Sequence, residues 1–211
     1  MATQLSLIDL AGAAEAPEVD VPGRFYLPDF LSVERERELL ARIDGDESAA
    51  WLGDLSRRVQ HYGYKYDYSH RGIDASAHLG PLPPWLETLG GEVASSAAEP
   101  GCRIDRFDQA IVNEYEPGQG IAPHIDRDCF GPVVATVSLS SDVVMDFIGP
   151  DGESVPFMLR RRSLLILTGD ARDLWGHGIA KRKSDQYPKN GPRKERERRV
   201  SITFRTVLLD E

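Results

Sequence analysis

The sequence predicts a single, mainly β domain, built as a sandwich or barrel, with two helices placed ahead of the strands. Three observations carry that expectation. From about residue 109 the chain breaks into short β-branched or alternating runs, several separated by Gly or Pro turns. Helical periodicity stands before that point, in two segments. The chain has 211 residues, 41% of them hydrophobic and 28% charged, with no internal repeats, so one domain with a sizeable core accounts for it.

Taken in order, residues 1–22 are rich in Ala, Glu, Asp and Pro and are expected to form a flexible lead-in to a domain of residues 23–211. Ser32 is a good N-cap, with acids in the turn that follows. Val33, Leu39, Leu40 and Ile43 then share one helical face, which predicts a helix over Val33–Ile43. Arg57 to Tyr68 alternates aromatic and polar residues and reads as a strand or hairpin arm. On that reading Tyr62, Tyr64, Tyr66 and Tyr68 share one face, either covering the core or forming a lid whose rings stack on bases. Pro83-Pro84 opens a second helix, Trp85–Ala98, weakened by Gly90-Gly91 and stopped by Pro100-Gly101. The expected strands are Gln109–Tyr115, Val133–Leu139, Val143–Ile148, Val155–Leu159, Ser163–Leu167 and Val200–Leu208.

Composition narrows the function classes. A net charge of −9 argues against coating nucleic acid through overall charge. A local basic stretch, Lys181–Arg199, is expected to be a mobile loop, either a solvated connector or a phosphate-contacting flap. No apolar run approaches membrane-spanning length, and the amino terminus lacks the pattern of a secretory signal. Cys102 and Cys129 make no disulfide framework, so a reducing cytoplasm is the expected compartment.

The chemistry centres on His124-Ile-Asp126. Residues at i and i+2 of an extended segment point the same way, so an imidazole and a carboxylate could meet on one ion. With His177 they make the two-His, one-carboxylate face that leaves positions open on Fe(II) for a co-substrate and O2. The alternative is a strand-end hydrogen-bond cluster. Arg199, Ser201, Thr203 and Arg205 share one face of the last strand. Burying two arginines there is costly unless each meets an anion, either a dicarboxylate co-substrate or an acid inside the barrel. Cys129 reads as packing. His61, His70 and His78 lie outside ligand spacing and read as surface or lid residues.

In order along the chain, Asn113/Tyr115, His124/Asp126, His177 and Arg199/Thr203/Arg205 resemble the motif set of the AlkB family of Fe(II)- and 2-oxoglutarate-dependent dioxygenases. The resemblance runs from about Phe25 to Leu208. It implies a double-stranded β-helix (jelly roll). It also implies Fe(II) on His124, Asp126 and His177, with 2-oxoglutarate contacted by Asn113, Tyr115, Arg199, Ser201, Thr203 and Arg205, and O2 as oxidant. A nucleotide-recognition lid at about residues 50–80 would follow, with Tyr64, Tyr66, Arg127 and Asp128 toward the substrate. The substrate would be RNA or DNA carrying a modified base, acted on by a monomer through dealkylation or stable hydroxylation. The phrases Arg-Arg-Val-Gln-His-Tyr-Gly-Tyr and Val-Val-Met-Asp-Phe are similar to the branch of tRNA wobble-uridine hydroxylases. Ser201 departs from the Asn of many members, and Asp128 is similar to the carboxylate with which repair-type members read an exocyclic amine. A protein side-chain hydroxylase and a catalytically idle binding protein are the alternatives.

Overall fold

The computed structural model describes residues 20–209 apart from residues 48, 54, 99, 100 and 102, so most of the expected lead-in and Cys102 lie outside the described residues. In chain order the strands are β1 (Arg24–Leu27), β2 (Arg58–Tyr62), β3 (Gln109–Tyr115), β4 (Ile121–His124), β5 (Phe130–Leu139) and β6 (Val143–Ile148). They continue with β7 (Ser154–Leu159), β8 (Leu164–Leu167), β9 (Gly176–Ile179), β10 (Ser184–Gln186), β11 (Arg193–Glu195) and β12 (Arg199–Val207). The helices are α1 (Val33–Gly45), α2 (Pro84–Ala98) and the short α3 (Gly169–Asp173). None is long and apolar enough to cross a membrane.

Six strands form the larger sheet, in the order β1-β8-β5-β12-β3-β2, and four form a facing sheet, β4-β9-β6-β7. The chain passes repeatedly from one sheet to the other: β3 is in the large sheet, β4 in the small one, β5 in the large, β6 and β7 in the small, β8 in the large and β9 in the small. With antiparallel pairing throughout, this is the jelly roll.

Alternation on β12 explains the layering. Val200, Ile202 and Phe204 are fully buried against Leu39, Ile43, Leu86, Leu89 and Val93, so α1 and α2 cover the outer face of the large sheet. Arg199, Ser201, Thr203 and Arg205 point the other way, into a cavity between the sheets. A second apolar cluster, including Val143, Phe147, Leu159, Leu165 and Trp175, closes the space around that cavity. Val21, at the end of the expected lead-in, is fully buried in it.

Both expected helices form. Ser32 Oγ accepts the Arg35 N–H at 3.1 Å, capping α1. The buried Glu36 of α1 accepts the Ser140 N–H at 2.9 Å and pairs with Arg161, tying the helix to the turn after β5. Gly90 does not break α2. It lies where a side chain would meet Phe107 and Phe204, which brings the helix close to β12.

Two expectations need correction. The four tyrosines do not share a face, because β2 ends at Tyr62 and Gly63 adopts φ +75°, where any Cβ would collide with the Asp108 carbonyl oxygen. Tyr62 packs edge-on to Trp85 in the helix-side core, Tyr64 sits against His78, and Tyr66 and Tyr68 turn toward the cavity. The basic stretch is not a bare loop either. It carries the β10–β11 hairpin, and buried Asp185 accepts from both Arg182 and Arg196 at 2.7 Å. Lys194 reaches Asp142 at 3.0 Å, and Arg198 bonds Glu114 and Asp44. Neighbouring acids absorb charge that the segment's composition alone leaves unpaired.

Candidate active site

Strands β4 and β9 pair with His124 directly opposite His177, which brings the two rings to 4.6 Å between centroids. The approach requires Gly178, since a Cβ there would lie 2.6 Å from the Pro123 nitrogen. Asp126 follows two residues after His124 and turns inward, while Ile125 between them is 43% exposed. His124, Asp126 and His177 each offer one ligand atom, and these lie within 4.8 Å of one another.

The electrostatics suit a cation. Burial would raise the Asp126 carboxyl, but Arg205 and the two imidazoles more than reverse this and hold it at about 2. Burial pushes His177 down to about 4 and lowers His124 as well, against the pull of Asp126, so both rings are neutral near pH 7. His124 Nδ1 lies 3.1 Å from the Ala122 carbonyl oxygen, and the tautomer that donates there leaves Nε2 with its lone pair.

Arg205 donates to Asp126 Oδ1, and Oδ2 is buried without a hydrogen-bond partner among the described residues. Behind them Arg172 of α3 is 4% exposed and donates to the carbonyls of Asp126, Arg127, Phe130 and Gly131, at 2.7 to 3.3 Å. This one side chain fastens the loop that carries Asp126 to the segment that leads into His177.

Arg199 is different. It is 3% exposed, and among the described residues its Nη atoms donate to two hydroxyls, Ser201 at 3.3 Å and Ser138 at 3.0 Å. Its Nε has no hydrogen-bond partner among the described residues, and burial pulls the group down to about 10. A buried guanidinium with neutral partners is a site that wants an anion.

One cavity of about 870 Å³ gathers most of the expected residues: His124, Asp126 and His177, with Asn113, Tyr115, Arg199, Ser201, Thr203 and Arg205, and also Tyr66 and Arg127. Tyr64 and Asp128 are not on its wall, and Asp128 lies in an exposed turn. Of the two places expected for His61, surface or lid, the surface does not hold: it is buried on β2, its Nδ1 accepting the Tyr66 N–H at 3.2 Å. Arg57, Tyr68 and Arg71 line the cavity too, although the sequence assigns none of them a place among the site residues. Alternation from Val59 and His61 is the signal that points to Arg57.

The residues present fit a ferrous ion and a dicarboxylate. Two neutral imidazoles and an orphaned carboxylate oxygen face one point, and an unpartnered guanidinium nitrogen lies in the same cavity.

Comparison with known proteins agrees. The model of the 2OG-Fe(II) oxygenase superfamily matches residues 23–205. A Danio rerio protein named "Probable RNA/DNA demethylase ALKBH6" is 30% identical, over 78% of this chain and 70% of its own length. The chain belongs to the AlkB family of 2OG-Fe(II) oxygenases. The Xenopus tropicalis "tRNA (carboxymethyluridine(34)-5-O)-methyltransferase alkbh8" is 41% identical over 78% of this AlkB-family chain, which spans only 26% of that relative. The mimivirus "Uncharacterized protein L905" is 36% identical, with 90% of this chain and 87% of the relative covered. Among solved structures, OsALKBH1 superposes with a TM-score of 0.64 at 20% identity, covering 88% of this chain and 97% of its own, which speaks to the fold. The cofactors of this AlkB-family oxygenase are Fe(II) and 2-oxoglutarate, with O2 the oxidant.

Proposed function

We propose that the chain is a 2-oxoglutarate-dependent dioxygenase that hydroxylates a modified base in RNA or DNA. One observation carries this reading: a single cavity holds the His124–Asp126–His177 cluster, an arginine without an anionic partner and the rings of Tyr66 and Tyr68. In that reading the three side chains hold iron and Arg199 pairs with the distal carboxylate of 2-oxoglutarate. Asn113, Tyr115, Ser201 and Thr203 present further polar atoms to it. When bound, iron and 2-oxoglutarate supply the oxidising step, in which O2 is consumed, 2-oxoglutarate becomes succinate and CO2, and one oxygen atom enters a substrate C–H bond.

The chain's own part is geometry. Arg205 keeps Asp126 ionised and oriented, and an apolar cluster packs beside the site. Tyr66 and Tyr68 stack edge-on at 5.0 Å and offer ring faces to a base, which must arrive single-stranded or flipped out. Residues of about 50–80 act as the lid, and Arg127 meets the substrate. The relatives' names mention methyl transfer to a tRNA carboxymethyluridine and RNA/DNA demethylation, which supports a nucleic-acid substrate. We extend the reading to a monomer in the cytoplasm, where reducing conditions suit ferrous iron.

Turnover with Fe(II) and 2-oxoglutarate over methylated oligonucleotides, bulk tRNA and peptides, scored by product mass, tests this. Substrate-dependent succinate with a mass gain or methyl loss on nucleic acid is expected, and its disappearance in Asp126→Ala. Modification confined to peptides would overturn the substrate class.

A further inference from the structure

Arg57 is a buried cation outside the set of iron and 2-oxoglutarate residues that the resemblance implies, although it opens the phrase Arg-Arg-Val-Gln-His-Tyr-Gly-Tyr. It stands one residue before Arg58, whose antiparallel partner is Glu114, so the register carries Arg57 to Tyr115. Tyr115 in turn lies opposite Arg199. Three strands thus place Arg57, Tyr115 and Arg199 in one row, and the two guanidinium carbons lie 5.8 and 5.5 Å from the same Tyr115 ring.

The next row is polar as well. Asn113 is opposite Ser201, and Ser201 is opposite Ser138. Arg57 Nε donates to Asn113 Oδ1 at 2.7 Å, while Arg199 donates to Ser201 and Ser138. Fixing Oδ1 as the acceptor directs the Asn113 amide NH2 away from Arg57. Two guanidiniums and an oriented amide therefore sit side by side on the wall of one cavity.

Neither arginine has an acid within ion-pair distance among the described residues, although Arg57 is 8% exposed and Arg199 3%. Buried cations without carboxylate partners are costly unless a ligand brings the anion.

We propose that Arg57 binds the distal carboxylate of 2-oxoglutarate together with Arg199, and holds Asn113 in the orientation that donates to it. This rests on the cavity's being the 2-oxoglutarate site. The chemistry is that of two guanidiniums sharing one carboxylate across an aromatic ring.

The test is 2-oxoglutarate affinity, measured by tryptophan quenching or calorimetry on the full chain loaded with Mn(II) in place of iron. Two ligands separate the two ends of the site. 2-Oxoglutarate carries the distal carboxylate, and 2-oxobutyrate has the same metal-chelating end without it. Arg57→Met and the better-tolerated Arg57→Gln should each weaken 2-oxoglutarate by roughly tenfold or more, with Arg57→Lys between them and wild type. Binding of 2-oxobutyrate should stay within about twofold of wild type, a selectivity that general loss of structure would not produce. Arg199→Met is the reference. If it weakens 2-oxoglutarate while the Arg57 variants do not, Arg57 is not in the cradle and the proposal falls alone. If neither arginine matters, the cavity is not the 2-oxoglutarate site and both readings fall. Loss of oligonucleotide binding in Arg57→Gln with 2-oxoglutarate affinity intact would reassign Arg57 to the substrate and overturn the proposal.

Discussion

Arg205 donates from Nε to Asp126 Oδ1 at 2.8 Å, with its Nη2 in ion-pair contact with the same oxygen at 2.7 Å, while Oδ2 faces His177 Nε2 at 3.4 Å. The carboxylate is divided between two tasks, one oxygen anchored by the sheet and the other aimed at the cluster. Arg205 reads from the sequence as a co-substrate clamp, yet its partner in the structure is a carboxylate of the chain itself.

It follows that Arg205→Ala should weaken metal binding, because Asp126 loses both the charge that keeps it ionised and the bonds that orient it. Removing such a supporting partner costs about 10- to 100-fold in metal affinity. Anaerobic titration with Fe(II) or Co(II) measures it. An unchanged metal affinity with weakened 2-oxoglutarate would restore the co-substrate role.

Arg172 makes a prediction about stability. Its guanidinium donates to four backbone carbonyls around the Asp126 loop, those of Asp126, Phe130 and Gly131 in buried contacts. Arg172→Leu would strand several of them, and each buried unsatisfied group costs about 1–3 kcal/mol. Denaturant unfolding of the metal-free protein should show a drop of about 3 kcal/mol or more. A drop below about 1 kcal/mol would mean that the loop is held by other interactions.

How much of this was legible in the sequence depends on the range of the signal. His124 and Asp126 could be paired because side-chain direction repeats every two residues, and the same rule put Arg199 to Arg205 on one face. Only strand pairing shows that His177 stands opposite His124, or that Arg57 reaches the Tyr115 row. The tyrosine alternation failed at a single backbone angle, at Gly63. The basic segment misled for another reason: Asp142, Asp44 and Glu114, which neutralise part of it, lie far away in sequence.

Stability should fall in mild acid, and His61 gives the sign. Burial is the main cause that pushes its pKa from 6.5 to about 4, with Lys65, Arg205 and Arg57 adding to it. Between those values the unfolded chain binds a proton that the folded chain does not, so stability drops as pH falls from about 6.5 to about 4. The slope from one such group reaches at most about 1.4 kcal/mol per pH unit. His177 is pushed to the same range and adds to it. His61→Gln should flatten part of the slope in urea unfolding of the metal-free protein between about pH 7 and about pH 4.5. An identical slope would mean that His61 is solvated.

The hairpin segment separates cations that hold the fold from cations that are free to meet phosphate. Arg182 and Arg196 grip buried Asp185, whose Oδ2 also accepts the Val144 N–H at 3.2 Å, so these arginines pin the hairpin to β6. Lys194 is drawn to Asp142. Lys181, Lys183, Lys189 and Arg193 are exposed. Neutralising these four to Gln should weaken binding to a methylated oligonucleotide or tRNA. It should also lower the log–log salt slope by roughly one unit for each phosphate that no longer meets a cation. The melting temperature and metal affinity should hold, since neither the Asp185 cluster nor the iron cluster is touched. Arg196→Gln should do the reverse, costing stability by leaving Asp185 underpaired in its buried setting. If the fourfold variant binds with an unaltered salt slope, the phosphates are met elsewhere on the molecule, and the hairpin serves to close the barrel beside β6.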